Sequence, residues 1–190
     1  TPEFPGAARE RVEAWLGGGA AASFLQGCCG DIRPAIIRDR EFVKGTLDDV
    51  RELGERLAER VIRVLQGPME ELSPAELAWR QERVELPLEQ GNSVPLELTC
   101  LRLSEGLSLL AMDGEIVVEY GLFVKSLSGG NVLPLPYSNG MIGYVPTAKQ
   151  VAEGGYEAKD SAYYFRLPSP FDASAEEQLR TAIERMLRSS

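Results

Sequence analysis

Residues 107–127 read LSLLAMDGEIVVEYGLFVKSL, a run in which one apolar pattern stops at a turn and a second one begins. Leu107–Met112 is short and apolar, which predicts a strand, and Asp113-Gly114 is a turn signal. Glu115 to Leu127 is almost wholly apolar, which predicts a helix buried against a sheet. The segment therefore predicts a strand, a turn and a covering helix.

Further extended segments lie on either side of this unit. The segments 79–89 and 95–103 are predicted strands, the second by its alternation of apolar residues, and with residues 107–112 they can form a hairpin or meander. Residues 131–135 return as a strand, and the short apolar run 20–25 predicts a buried strand. The pattern predicts an α/β fold, with α+β as the alternative, in which helices flank a layered sheet.

Three helices are predicted outside this region. Residues 5–16 have apolar side chains at helical spacing, and residues 46–66 begin with Thr46 and Asp49 in a capping box. Asp172 or Ser174 starts a final helix. The apolar stripe of the second helix is formed by Leu47, Val50, Leu53, Leu57, Val61 and Val64, and that of the last by Leu179, Ala182, Ile183, Met186 and Leu187.

Composition limits the classes of function. With 190 residues, of which 44% are hydrophobic, the chain can form one domain spanning 1–190. Its net charge of −9 repels phosphate backbones, which argues against a nucleic-acid partner. No apolar run approaches the roughly 18 to 20 residues of a membrane span, so no transmembrane segment is expected. The three cysteines leave the redox compartment open.

Glu115 is the first candidate for chemistry. A carboxylate that follows a strand, in the first turn of a buried helix, is held in its charged form by the helix dipole and can ligate a metal ion. The structural alternative is that Glu115 is an ordinary first-turn acid that stabilises the helix.

Two tyrosines lie in a segment rich in turn signals. Tyr144 and Tyr156 are placed among Asn139-Gly140, Gly143 and Gly154-Gly155. Two phenols displayed from turns are not expected to be simple core fillers. The structural alternative is a buried tyrosine that hydrogen-bonds to the backbone.

The loop 27–34 reads GCCGDIRP. Gly30 permits close backbone approach to a ligand, and Asp31 can pin the loop. Arg33 can bind an anion or stabilise an oxyanion, or it can form a structural salt bridge with Asp31 or Glu115. We interpret Cys28 and Cys29 as small packing residues, because no histidine is present to activate a thiolate.

Three motifs together resemble the neutral/alkaline (non-lysosomal) ceramidase family of zinc-dependent amide hydrolases. They are the segment 26–34, Asp113-Gly114-Glu115, and the segment 137–147 followed by Gly154-Gly155-Tyr156-Glu157. The resemblance runs in order along most of the chain. It implies an N-acylsphingosine amidohydrolase activity, a lipid amide substrate and a zinc cofactor.

The resemblance also implies individual roles. Glu115 and Tyr144 correspond to zinc ligands, and Tyr156 to the residue that donates a hydrogen bond to the oxyanion. Gly30, Arg33 and Asn139 are candidate substrate-binding residues, and Arg33 and Asp31 are candidate catalytic residues beside Tyr156. If the resemblance holds, a secreted, periplasmic or membrane-surface location is expected.

The chain departs from the family pattern at three points. Arg33 stands where the family has a catalytic serine, Met141 stands where many members have an aromatic residue, and the chain has no histidine for the zinc. We therefore expect the carboxy-terminal part of a catalytic domain, with the histidines supplied by a missing amino-terminal segment or a second chain. The alternatives are a hydrolase of the same superfamily with a soluble anionic substrate, or a catalytically inactive binding module.

Overall fold

The computed structural model describes residues 3–188. Their internal contacts define two compact units. The helical unit comprises Pro34–Glu71 and the chain up to Leu25, and the sheet unit comprises Gln26–Arg33 and the chain from Leu72 onward. That residues 1–190 fold as a single domain stays a prediction.

The helical unit is a pair of helices with a small hairpin between them in the sequence. Its elements are α1 (Glu3–Leu16), β1 (Ile37–Arg38), β2 (Glu41–Phe42) and α2 (Leu47–Leu65). A Cβ added at Gly54 of α2 would lie 2.5 Å from the Ala7 Cβ, so this glycine allows the two helices to approach closely. Thr46 caps α2 and forms the predicted capping box with Asp49.

Two expectations for this unit are wrong in part. The apolar run 20–25 is not a strand; Phe24 and Leu25 are exposed. Its backbone is held by side chains of α1 instead, since Arg9 Nε donates to the Ala22 carbonyl over 2.6 Å and the Ala22 N–H donates to the Glu13 carboxylate over 2.8 Å.

The predicted apolar stripe of α2 is also displaced. Leu47 and Val64 are exposed, because α2 packs on α1 through the face that carries Ala58. The partly buried hydrophobic residues on that face of α2 are Leu57, Ile62 and Leu65.

The sheet unit contains a four-stranded mixed sheet, a second short strand pair and four helices. The strands are β3 (Pro74–Pro87), β4 (Ser93–Ser104), β5 (Leu107–Met112), β6 (Glu115–Ile116), β7 (Val132–Leu135) and β8 (Tyr144–Val145). The helices are α3 (Val118–Ser128), α4 (Ala148–Glu153), α5 (Ser161–Tyr164) and α6 (Ala175–Arg188), with a π-helical turn, Tyr156–Asp160, before α5.

Strand order in the main sheet is β3-β4-β5-β7. The first three strands form the expected antiparallel meander, and β7 pairs in parallel with β5. Parallel neighbours need a crossover connection, and α3 provides it. The α/β class predicted from the sequence is confirmed, with a mixed sheet and flanking helices.

One face of the sheet forms the core with α3 and α6. The fully buried side chains come from the sheet, from α3 and from α6. They include Leu86, Leu98, Leu110, Met112, Tyr120, Leu179 and Ile183. The predicted stripe of α6 is confirmed, because Leu179, Ala182, Ile183 and Met186 are all buried and Leu187 packs against the core.

The opposite face of the sheet also carries apolar side chains. Trp79, Leu101, Leu109 and Leu133 are direct neighbours across β3, β4, β5 and β7. Apolar residues on both faces are typical of a sheet enclosed between two layers.

The helix predicted from Glu115 begins three residues later than expected. Glu115 lies in β6, whose two residues pair in parallel with Tyr144 and Val145 of β8, and α3 starts at Val118. The interpretation of Glu115 as a first-turn acid is therefore wrong; the acid in the first turn is Glu119.

Of the helices within residues 3–188, none combines the length and the apolar character needed to cross a membrane.

Candidate functional site

Glu115 and Tyr144 are brought side by side by the short strand pair β6·β8. Their Cα atoms are direct partners in the parallel register, and the Glu115 N–H donates to the Gly143 carbonyl over 2.8 Å. Burial, followed by the neighbouring Glu115 carboxylate, raises the pKa of Tyr144 above its usual value. Two oxygen-bearing side chains from neighbouring strands thus lie side by side.

Tyr156 joins this pair from the π-helical turn. The ring of Tyr156 makes an edge contact with the ring of Tyr144, with the centroids 5.5 Å apart. The ring of Phe165 makes a second edge contact with the Tyr144 ring, with the centroids 6.0 Å apart. Tyr156 is 44% exposed, so it is accessible to a bound molecule. Turns of π-helix occur frequently at functional sites.

The two glycines before Tyr156 make its position possible. Gly154 and Gly155 have φ of 78° and 92° with ψ of −150° and −173°, a backbone region that is essentially restricted to glycine. Together they turn the chain sharply between α4 and the π-helical turn. Without them, the chain could not present Tyr156 directly beside Tyr144.

The loop 27–34 packs against the strand that carries Glu115. A Cβ at Gly30 would lie 3.0 Å from the Glu115 carbonyl oxygen, and the Gly30 N–H donates to the Ile116 carbonyl over 3.0 Å. The close backbone approach predicted for Gly30 is therefore made to β6 of the protein itself.

Asp31 pins the loop, as the sequence predicted. One carboxylate oxygen accepts from the Val118 N–H over 2.8 Å, and the other accepts from the Gln150 side chain over 3.0 Å. The first bond satisfies a free N–H at the start of α3, and the second ties the loop to α4. Both oxygens are engaged in holding elements together, so the geometry favours a positioning role for Asp31. Arg33 lies two residues further along, with an exposed side chain.

The loop 136–143 carries Asn139 past the same site in an uncommon conformation. Tyr137 has φ of 59° and Asn139 has φ of 69°, in the left-handed region that asparagine tolerates and a bulky aromatic residue rarely adopts. The Tyr137 and Ser138 N–H groups donate to the Gly114 and Met112 carbonyls over 3.0 and 3.1 Å. The end of β5 therefore fixes this loop.

Sequence reasoning gave no role to Tyr137 and misjudged Cys29. Cys28 is buried against Gly121, as expected for a packing residue, but Cys29 is only partly buried and its Sγ lies 3.2 Å from the Tyr137 hydroxyl. The one available signal was an aromatic residue two positions after a predicted strand, beside the Ser138-Asn139-Gly140 turn.

The donor set fits part of a zinc site. Zinc in proteins takes four ligands from nitrogen, sulfur and oxygen atoms, and Glu115 and Tyr144 provide two oxygens. Within residues 3–188, His, Cys, Asp and Glu side chains form no group of three or more suited to a metal ion, and the sequence has no histidine. The remaining ligands would have to come from another polypeptide segment.

Comparison with known proteins gives no further guide. No family model, curated protein or solved structure matches this chain.

Proposed function

We propose that this chain is part of a zinc-dependent hydrolase of amide-type bonds that resembles the neutral ceramidases. The observation that carries the proposal is the arrangement of Glu115, Tyr144 and Tyr156. These residues are separated by up to 41 positions in the sequence, yet Glu115 pairs with Tyr144 and the Tyr156 ring contacts Tyr144. The order and the roles implied by the resemblance require this proximity.

In this proposal Glu115 and Tyr144 would hold the zinc together with histidines from another polypeptide segment or a second chain. Zinc at this position would supply Lewis-acid activation of water. On the face of the sheet opposite α3 and α6, an apolar row is formed by Trp79, Leu101, Leu109 and Leu133, and Trp79 is 67% exposed. This apolar face supports the proposal that the sheet belongs to a larger catalytic domain.

Tyr156 then acts on the substrate. Its phenol donates a hydrogen bond to the oxyanion that develops when the amide carbonyl is attacked, the role of a preorganised donor. The rings of Tyr144 and Tyr164 contact the ring of Tyr156, and the exposed Asn139 side chain is the candidate to contact the substrate.

Arg33 bears on the choice of substrate. A guanidinium is permanently cationic and cannot replace an attacking hydroxyl, but it recognises carboxylates and phosphates. Its exposed position in the loop that contacts β6 favours the second candidate, a hydrolase of the same superfamily with a soluble anionic substrate. Activity on N-acyl compounds of different head-group charge distinguishes this candidate from a lipid amidase, and the absence of any activity in the complete protein indicates a binding module.

Zinc binding by the isolated chain should be weak. Two oxygen ligands leave a tetrahedral site half formed, so calorimetric titration of zinc into residues 1–190 should give a Kd above about 1 μM. Glu115→Gln should weaken the binding further. Glu119→Gln, which changes the exposed second residue of α3, serves as the control. A sub-micromolar Kd at a single site would mean that the ligand set assigned here is wrong.

Arg33→Ala should selectively impair anionic substrates. If the guanidinium binds an anionic group, its removal should raise KM by an amount equivalent to about 1.5 to 3 kcal/mol, the range for hydrogen bonds to charged groups. The measurement is steady-state kinetics on paired anionic and neutral N-acyl substrates, using the protein reconstituted with its histidine-bearing segment.

Two further variants make that experiment specific. Arg33→Ser introduces the residue of the ceramidase pattern and should shift the preference towards neutral substrates, whereas Arg63→Ala removes an exposed arginine of α2 and should change neither KM. Equal effects of Arg33→Ala on both substrate classes would assign Arg33 to a structural salt bridge.

A further inference from the structure

The strand β3 lies at one edge of the main sheet and is 14 residues long. An edge strand presents a row of N–H and C=O groups that can pair with another chain, and proteins usually protect such edges with short strands, prolines or bulges. The opposite edge follows this rule, because β7 has four residues, one of which is Pro134. In β3 the prolines stand only at the two ends, and residues 78–87 pair with β4 without a bulge. Most of this edge therefore lacks the usual protection.

The hydrogen bonds at the end of β3 show which residues face outward from this edge. The Pro87 carbonyl accepts from the Asp172 N–H, and the Glu89 N–H donates to the Pro170 carbonyl, both over 3.0 Å. Successive residues of an antiparallel strand direct their backbone groups to alternate sides, so the outward-facing residues are the odd-numbered ones. Within residues 3–188, no strand pairs with this outward side of β3 before residue 87. The exposed residues that direct their backbone groups outward are Trp79, Gln81, Arg83 and Glu85.

The charges along this edge are complementary to themselves. When two copies pair antiparallel about a two-fold axis, each residue lies opposite the residue at the same distance on the other side of the axis. With the axis at Gln81, Arg80 lies opposite Glu82 of the second copy, and Trp79 lies opposite Arg83 of the second copy. An axis at residue 80, 82 or 83 would place a charged residue opposite its own copy, and like charges directly opposite each other are destabilising. The charge pattern therefore favours the register centred on Gln81.

The Arg80 and Glu82 side chains are held beside this edge by the end of α6. Arg80 Nη2 donates to the Arg185 carbonyl over 3.5 Å, and the Glu82 carboxylate pairs with the Arg185 guanidinium. A carboxylate has about four acceptor positions on its two oxygens, so Glu82 can accept from a second arginine as well. The Glu82 side chain is 25% exposed, which leaves it accessible to Arg80 of a second copy.

We propose that β3 is a dimerisation edge, at which two copies of this chain pair antiparallel with Gln81 on the two-fold axis. Two four-stranded sheets then join into one continuous sheet. Arg80 pairs with Glu82 across the junction, and Trp79, which is 67% exposed, receives the Arg83 guanidinium of the second copy in a cation–π contact. None of these contacts involves the candidate site, so the dimer and the proposed function are tested separately.

Sedimentation equilibrium of the full chain tests the dimer, and wild type should show a reversible monomer–dimer equilibrium. Arg80→Glu should raise the dimer Kd by about 10-fold or more, because two attractive cross-strand contacts become repulsive. Arg60→Glu is the matched control, since it makes the same charge change at an exposed residue of α2 and should leave the Kd unchanged. A wild type that stays monomeric up to about 100 μM would overturn the proposal and leave this edge to a different polypeptide.

Mixing two variants tests the pairing of Arg80 with Glu82. Glu82→Arg alone should also weaken the dimer, because it places Arg80 opposite an arginine. In a mixed dimer of Arg80→Glu with Glu82→Arg, both contacts again join unlike charges, so native mass spectrometry should detect the mixed dimer in excess over either homodimer. Circular dichroism checks that both variants are folded. If two folded variants form no mixed dimer, the pairing is wrong.

Disulfide trapping tests the register without altering any charge at the axis. Residues opposite each other in a hydrogen-bonded antiparallel pair have Cα atoms about 5.5 Å apart, within the range of a disulfide. Gln81→Cys should therefore give a covalent dimer on oxidation with diamide, read on a non-reducing gel.

Two controls make the trapping specific. In Glu85→Cys the two cysteines lie eight positions apart along the paired strands, about 27 Å, so this variant should remain uncrosslinked. Wild type, with its free Cys28, Cys29 and Cys100, reports any background crosslinking. Equal crosslinking of Gln81→Cys and Glu85→Cys, or none in Gln81→Cys, would overturn the register, and a wild-type dimer without the Gln81→Cys crosslink would place the interface on another surface.

Discussion

Replacing Tyr156 with phenylalanine should lower kcat by about 10²- to 10³-fold while zinc stays bound, because in the proposed hydrolase this change removes one oxyanion donor and no metal ligand. Tyr144→Phe should instead lower zinc occupancy together with activity, because in the same proposal it removes an oxygen ligand. The two rings contact each other 5.5 Å apart, so a merely structural role would give the two variants similar phenotypes.

The measurement combines metal analysis with steady-state kinetics on the chain reconstituted with the proposed histidine-bearing segment. Tyr164→Phe is a suitable control, since Tyr164 is 70% exposed and its ring contacts Tyr156 at 6.1 Å. If Tyr144→Phe and Tyr156→Phe both have the zinc content of the wild type and a near-normal kcat, both tyrosines have a structural role only. Loss of zinc in Tyr156→Phe would contradict the division of roles.

The parts of the fold that were predictable have a periodic pattern over many residues. The meander of β3 to β5 shows alternation and turn residues, and α6 has an apolar stripe from Leu179 to Leu187, so local sequence and tertiary packing favour the same structure. The capping box at Thr46 was equally readable, because its two hydrogen bonds join residues three positions apart.

The strand pair β6·β8 has no comparable signal. Each strand is two residues long, too short for any periodicity, and the pair forms because residues 115 and 144 meet in three dimensions. The continuous apolar composition after Asp113 predicted a helix from Glu115. In the structure, Glu115 and Ile116 instead form β6, because they pair with β8. The most consequential residue of the site was therefore placed in the wrong element.

Position-specific backbone conformation was equally hidden. A tyrosine in the left-handed region contradicts its intrinsic preference, and only the fixed hydrogen bonds at the end of β5 explain it. The opposite error occurred at residues 20–25, where an apolar run had no strand to pair with and bonded to Arg9 and Glu13 of α1 instead.

Leu98→Ala should destabilise the sheet unit by about 2 to 5 kcal/mol, because it removes a buried core side chain. The geometry of the candidate site depends on this core, because β5 leads from it to Glu115. Leu98 is fully buried in β4, where its register partners are Glu82 of β3 and Met112 of β5. Removal of its side chain leaves a cavity beneath the end of β5, next to the turn that leads to Glu115. Because native packing relaxes only partly, the loss exceeds the transfer energy of the deleted atoms.

Urea unfolding measures this loss separately for the sheet unit, because the chain has one tryptophan in α1 and one in β3. In a Trp15→Phe background, Trp79 reports on the sheet unit, and Leu98→Ala should lower the midpoint without changing the slope. Leu122→Ala is the matched control: the same atoms are removed from a residue of α3 that is 60% exposed, and the expected loss is within about 0.5 to 1 kcal/mol. Equal losses in the two variants would mean that β4 does not lie at the centre of the core, and the placement of β5, β6 and Glu115 derived from it would have to be revised.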